Sequence, residues 1–167
     1  MEIKDVREVW PWNPRRGKWD KRDLARINKI VLHQELGEGS GLVVHTYHTS
    51  KDCHISPGIG TPRICYHFVI EKNGTIYWCN DLEDVVWHTK GQNLSGVGIM
   101  LVGDFDGKDH SGESVPTIEQ EQSFYELVDM LIDDLDLLHT EIYGHCDFGK
   151  PACPGNIAYD WVKNFRS

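Results

Sequence analysis

The stretch Ile64-Cys65-Tyr66-His67-Phe68-Val69-Ile70-Glu71-Lys72-Asn73-Gly74-Thr75-Ile76-Tyr77-Trp78-Cys79 decides the fold class. Asn-Gly between two short apolar runs is the strongest local hairpin signal, because glycine accepts the left-handed backbone that a tight reversal needs. It predicts a strand over 64–70 and an antiparallel partner over 75–79. Working outward, 27–33 and 97–102 read as buried strands and 42–48 as a short helix. Thr117 with Gln120 three residues later reads as a capping box, and Phe124, Leu127, Val128, Leu131, Leu135 and Leu138 follow at helical spacing. A short strand over 142–144 and a closing helix over 159–165 complete the pattern. Strands interleaved with helices, one hairpin among them, predict an α/β fold: a single domain with a central mixed β-sheet flanked by α-helices.

A chain of 167 residues with 40% hydrophobic content buries one core and has no length for a second. Residues 1–26 read as an N-terminal arm packed on the domain through Trp10, Trp12 and Trp19, and residues 27–167 as the domain itself. No apolar run approaches ~18 residues and no signal peptide is visible, so no membrane span is expected and the chain as written is expected in the cytosol. The five cysteines are odd in number and irregular in spacing, which argues against a disulfide framework. Cys53, Cys65, Cys79 and Cys146 read as buried or incidental thiols.

Formal charge is −9 and unevenly spread: residues 1–26 carry eight Lys/Arg against five Asp/Glu, while residues 104–136 carry eleven Asp/Glu against Lys108 alone. Nucleic acid is therefore not expected as a partner of the domain body. The basic, aromatic start could touch an anionic polymer such as a cell wall, or simply keep its cations in water.

Three borderline-soft ligands stand out. His33 ends the apolar run Ile-Val-Leu-His, and His145 and Cys153 bracket His-Cys-Asp-Phe-Gly-Lys-Pro-Ala-Cys. Two imidazoles and a thiolate suit a zinc ion whose fourth position is open to water, a hydrolytic arrangement. Both histidines lie where a predicted strand runs out, and Pro151 and Pro154 stiffen the loop that carries the thiol. On these residues alone, a structural zinc site or two hydrogen-bonded core histidines stay open as alternatives.

The ordered series Ile-Val-Leu-His (30–33), Cys-Tyr-His-Phe-Val-Ile-Glu-Lys-Asn-Gly-Thr-Ile-Tyr (65–77), Trp-His-Thr-Lys-Gly (87–91), Ser-Gly-Val-Gly-Ile-Met-Leu-Val-Gly-Asp-Phe (95–105) and Gly-His-Cys-Asp with Ala-Cys-Pro-Gly resembles the zinc-dependent N-acetylmuramoyl-L-alanine amidases. Within them it is most similar to the phage lysozyme-type endolysins and to the related peptidoglycan recognition proteins. The resemblance implies a catalytic Zn2+ held by His33, His145 and Cys153 in an open groove. It implies peptidoglycan as the partner, with cleavage between N-acetylmuramic acid and L-alanine. It makes Tyr66 the catalytic tyrosine, a phenol donor to the nucleophile or the developing oxyanion, and His88 a substrate-binding residue on the groove wall. With no signal peptide visible, a host cytoplasm location before release to the wall is expected; the oligomeric state is open, with a monomer as the default.

The chain departs from that pattern in places. No glutamate lies in 97–102, which implies the tyrosine-dependent subtype. Gln34-Glu35 follows the first ligand where small residues are common; Glu35 either faces the metal or points to solvent. The lysine common two residues before the last ligand is Pro151 here, so Lys150, one residue earlier, is a displaced catalytic candidate. Cys146 should point away from the metal by strand alternation, and His67 away from Tyr66. The loop 52–62 is expected to shape one side of the groove, with Cys53 and His54 as ordinary loop residues in preference to a second metal site. Alternatives in function are a noncatalytic peptidoglycan-binding or regulatory protein and an intracellular muropeptide-recycling amidase.

Overall fold

The computed structural model describes residues 2–37, 39–105 and 115–167, so Lys108 and part of the acidic stretch counted above lie outside the described residues. Six strands form one sheet: β1 (Ile3–Asp5), β2 (Lys29–Gln34), β3 (Phe68–Ile70), β4 (Ile76–Trp78), β5 (Gly96–Leu101) and β6 (Ile142–Gly144), in the order β1-β4-β3-β5-β2-β6. Only β3 and β4 pair antiparallel, and the other four pairings are parallel. The expected hairpin is therefore the place where the sheet turns mixed. Its connection runs Lys72–Gly74 between paired Glu71 and Thr75, with Gly74 at φ 80° closing the reversal.

Side-chain alternation splits the core into two layers. Ile30 and Leu32, Phe68 and Ile70, and Val97, Ile99 and Leu101 face α2 (Ile118–Leu135) and α3 (Asn156–Arg166). Val69, Met100 and Val102 face the opposite way, toward α1 (Gly41–His48) and Trp10. Alternation from Leu32 turns His33 to the α1 side, where it pairs in register with Met100.

α2 starts as its sequence predicts. Thr117 Oγ1 accepts from Gln120 N at 3.0 Å, and Gln120 Oε1 accepts from Thr117 N at 3.1 Å. It ends earlier than the apolar spacing suggests, because Asp136 turns left-handed at φ 52°. Leu138 is consequently outside the helix and 66% exposed.

Two further differences have physical causes. Ile3–Asp5, read as part of an arm, adds an edge strand beside β4. Trp10 and Trp19 are buried and Trp12 half-buried, while Arg22 is buried as well, donating to the carbonyls of Leu82, Asn93 and Gly96. Ile64, Cys65 and His67 are buried and Tyr66 half-buried, yet all four fall outside β3, since side chains take up part of their backbone bonding: Asn80 Nδ2 donates to the Ile64 and Tyr66 carbonyls, and Cys65 N donates to His48 Nδ1. Strict alternation therefore fails here. The His67 ring lies 6.1 Å from that of His88, on the same side of the sheet as Tyr66 and His33 and not opposite them.

Candidate metal centre

Strand register brings the first two ligands together. β6 pairs with β2 so that Leu32 stands opposite Gly144, and the next residue of each chain is a histidine. His33 and His145 thus emerge side by side at the carboxyl ends of parallel strands, where open α/β sheets place their ligands. Their ring centroids are 4.4 Å apart. The loop after β6 then folds back on itself: Cys146 N donates to Cys153 O at 2.7 Å, and Cys153 N to Lys150 O at 2.9 Å. This returns Cys153 Sγ to 3.9 Å from His33 Nδ1.

One donor atom from each of His33, His145 and Cys153 lies within 4.8 Å of the others, the only such group among the described residues. Tetrahedral zinc, with bonds of ~2.1 Å to nitrogen and ~2.3 Å to sulfur, holds an N and an S donor about 3.6 Å apart. The observed 3.9 Å suits it. Cys53 and His54 do not join a second cluster, and Cys146 is outside the trio, its thiol on the side of Tyr159.

A chain of hydrogen bonds fixes which nitrogen of His33 is free. His88 Nε2 lies 3.2 Å from Gly96 O, a group that only accepts, so His88 carries its proton there. Its Nδ1 can then accept from His33 Nε2–H at 3.1 Å, which leaves His33 Nδ1 as a bare lone pair facing Cys153. Thr89 Oγ1 joins the same junction, 2.9 Å from His88 Nδ1. The expected place of His88 on the groove wall is corrected: it is 6% exposed, sits behind His33 and does not border the cleft. Its ring fills space left by Gly98, where a Cβ would come within 2.7 Å of it.

Burial sets the charge state of the donors. It depresses His33 well below the ordinary imidazole range, aided by His88 and His145. It lowers His145 to about 4, with the Lys150 charge as a second cause, and pushes the Cys153 thiol up to about 12. Two neutral imidazoles and a thiol that burial keeps protonated are a donor set lacking a counter-charge; a divalent cation reverses the penalty and ionises the thiol.

The trio opens into a cleft of about 360 Å³. Tyr66 borders it with its ring 5.1 Å from that of His33, and burial raises the phenol above its ordinary value, so it stays protonated and able to donate. Lys150 borders the cleft too, although exposed. The loop 52–62 contributes His54, whose Nδ1 lies 3.0 Å from Tyr47 Oη. Glu35 takes neither extreme: it borders the cleft half-buried, its Oε2 is buried without a hydrogen-bond partner, and burial raises its pKa. Sequence reading missed His48, Thr89 and Leu36. His48 lines the cleft from α1, and Leu36 borders it in a left-handed conformation at φ 66°. None is marked by a local signal, because each is defined by what the fold brings next to it.

Comparison with known proteins follows the same residues. A family model described as N-acetylmuramoyl-L-alanine amidase matches residues 23–156. The endolysin of Enterobacteria phage K11 is 33% identical over 98 residues, 59% of this chain and 63% of that protein. The endolysin of Klebsiella phage KP32 is 29% identical over 100 residues, 59% of this chain and 64% of its own length, so the chain spans less than two thirds of these relatives. Among solved structures, the amidase LysC from Clostridium intestinale URNW superposes with a TM-score of 0.73 at 24% identity, covering 98% of this chain and 96% of that one. Peptidoglycan recognition protein LE, solved in complex with tracheal cytotoxin, does so at 0.76 and 19% identity, covering 97% of this chain and 92% of its own.

Proposed function

This chain belongs to the N-acetylmuramoyl-L-alanine amidase family, and from that premise we propose that it hydrolyses the amide between N-acetylmuramic acid and L-alanine in peptidoglycan, as a phage-type endolysin. The observation that carries the reading is the convergence of His33, His145 and Cys153 at the base of a cleft that Tyr66 and Lys150 also border. We assign Zn2+ to the trio. The chemistry zinc supplies when bound is Lewis acidity toward a carbonyl, together with water activated near neutral pH.

The chain's own groups do the rest. Tyr66, kept protonated by burial, donates a hydrogen bond to the carbonyl oxygen as negative charge develops on it. Lys150 brings a cation to the same cleft and offsets that charge from the solvent side. His88 and Thr89 hold the His33 proton on Nε2. Leu36, Val43 and Tyr47 give the cleft an apolar wall, which lowers the local dielectric and strengthens the Tyr66 hydrogen bond.

Peptidoglycan is the substrate, reached from the host cytoplasm on release to the wall. No helix among the described residues is long and apolar enough to cross a membrane. Incubation with purified peptidoglycan is the test. The expected product is new N-terminal alanine without new reducing sugar ends; reducing ends without free alanine amines would overturn the assignment.

A further inference from the structure

Gln34 is buried at 3% exposure between two loops that no strand pairing holds together. Its Nε2 donates to Ala152 O at 2.6 Å, and its Oε1 accepts from Phe105 N at 2.5 Å. Its backbone N–H points at Cys153 Sγ, 3.4 Å away. One residue therefore holds three partners, two of them on or beside the last ligand of the trio, and it directly follows the first ligand in the chain. The third partner, Phe105, belongs to the same assembly: the loop bearing Cys153 rests on it at Gly155, where a Cβ would overlap Phe105 O.

We infer that Gln34 is a positioning residue that fixes Cys153 against His33 and thereby sets the affinity of the site for its metal. The inference rests on the reading of His33, His145 and Cys153 as a zinc site. Cys153 needs such a device more than the other ligands do. His33 is on a strand paired on both sides, and His145 leaves a strand paired with it, whereas Cys153 lies between a 3-10 turn and α3. Ala152 is its immediate neighbour, so the amide strap fixes the path of the backbone that carries the thiol.

A side chain must offer a donor and an acceptor at that reach to satisfy both loops. An apolar residue leaves Ala152 O and Phe105 N without this partner, and asparagine is one methylene short. Groups that orient ligands in this way are worth roughly 10–100-fold in metal affinity.

The test begins with zinc content. Wild-type protein is expected to hold one zinc per chain, and a chain that takes up none would end the metal reading itself, separately from the role of Gln34. Gln34→Met, nearly isosteric and unable to form either hydrogen bond, is then compared with wild type by chelator competition. The zinc dissociation constant is expected to rise roughly 10–100-fold. The thiolate-to-metal charge-transfer band of the cobalt-substituted protein should shift or weaken as Cys153 loses its fixed geometry. A purely structural role would lower the melting temperature of metal-free and metal-loaded protein alike and leave the dissociation constant unchanged, and that result overturns the inference.

If Gln34→Met does not fold, Gln34→Glu decides. It keeps an acceptor for Phe105 N but turns an oxygen toward Ala152 O. Its added negative charge would by itself favour a cation, so weaker zinc binding reports the lost strap, and unchanged or tighter binding together with an unshifted cobalt charge-transfer band refutes it.

Discussion

Tyr66 and Cys153 border the same cleft for different reasons, and substitution should separate them. Tyr66→Phe removes a hydroxyl donor and leaves the ring against His33, so zinc content and melting temperature should stay at wild-type values. Turnover on peptidoglycan should fall on the order of a hundredfold, the scale of one preorganised donor; unchanged turnover would return Tyr66 to a packing role. Cys153→Ala removes a donor of the trio and should lose zinc and activity together. Cys146→Ser changes a thiol outside the trio and should keep both, as metal analysis of the two purified variants will read. His88 belongs with Cys153 in this respect, since its ring meets the trio through a hydrogen bond to His33.

At the scale of elements, local signals translate directly and non-local ones do not. The α2 cap is local: Thr117 Oγ1 accepts from Gln120 N and also donates to Lys72 O at 2.7 Å, tying the helix start to the β3–β4 turn. Thr117→Ala should therefore destabilise the protein by about 1–2 kcal/mol in denaturant unfolding, a normal cap loss; a change below about 0.3 kcal/mol would mean that water replaces both bonds. The cap and the Asn73-Gly74 reversal were legible because four or five consecutive residues contain their whole physics. The strand β1 was not, since Ile3–Asp5 becomes a strand only where the free edge of β4 meets it. Residues 64–67 read as strand from their apolar pattern, but that pattern registers burial, and it is Asn80 and His48 that take up part of the backbone bonding there. The grouping of His33, His145 and Cys153 was legible in part because two histidines ending predicted strands, with a cysteine on a proline-stiffened loop just beyond the second, are an uncommon combination. The place of His88 was not, because it depends on two glycines of β5 that leave room for its ring.

Over the whole molecule, acid should act on the α1-facing layer that also carries the His33, His145 and Cys153 trio. His45 and His48 are buried, and burial is the first cause that lowers them to about 4 and about 3, with Arg63 a further cause for His45 and His54 for His48. Their folded pKa values lie below the ordinary imidazole value near 6.5, so the unfolded chain binds more protons between those limits. Stability is therefore complete above pH 6.5 and falls as pH drops toward 4, by roughly 1.4 kcal/mol per unit for each fully buried group. Denaturant midpoints at pH 7, 5.5 and 4.5 should show this loss, and His48→Gln should reduce it while His45, His67 and His88 keep the remainder; a flat wild-type profile would contradict it. Zinc removal should steepen that slope, because His33 and His145, also held below the ordinary imidazole value by burial, are then free to bind protons on unfolding. At a thousandfold excess over its dissociation constant a bound ion contributes about 4 kcal/mol, which in a chain of this size moves the melting temperature on the order of 10 °C. The parallel pairing of β2 with β6 has a further consequence for the order in which the molecule is made. The first ligand leaves the ribosome with the second strand, whereas the other two follow the last strand to be synthesised. A nascent or truncated chain that ends before β6 holds one of the three donors and no chelate, so the site can assemble only once segments far apart in the sequence have met.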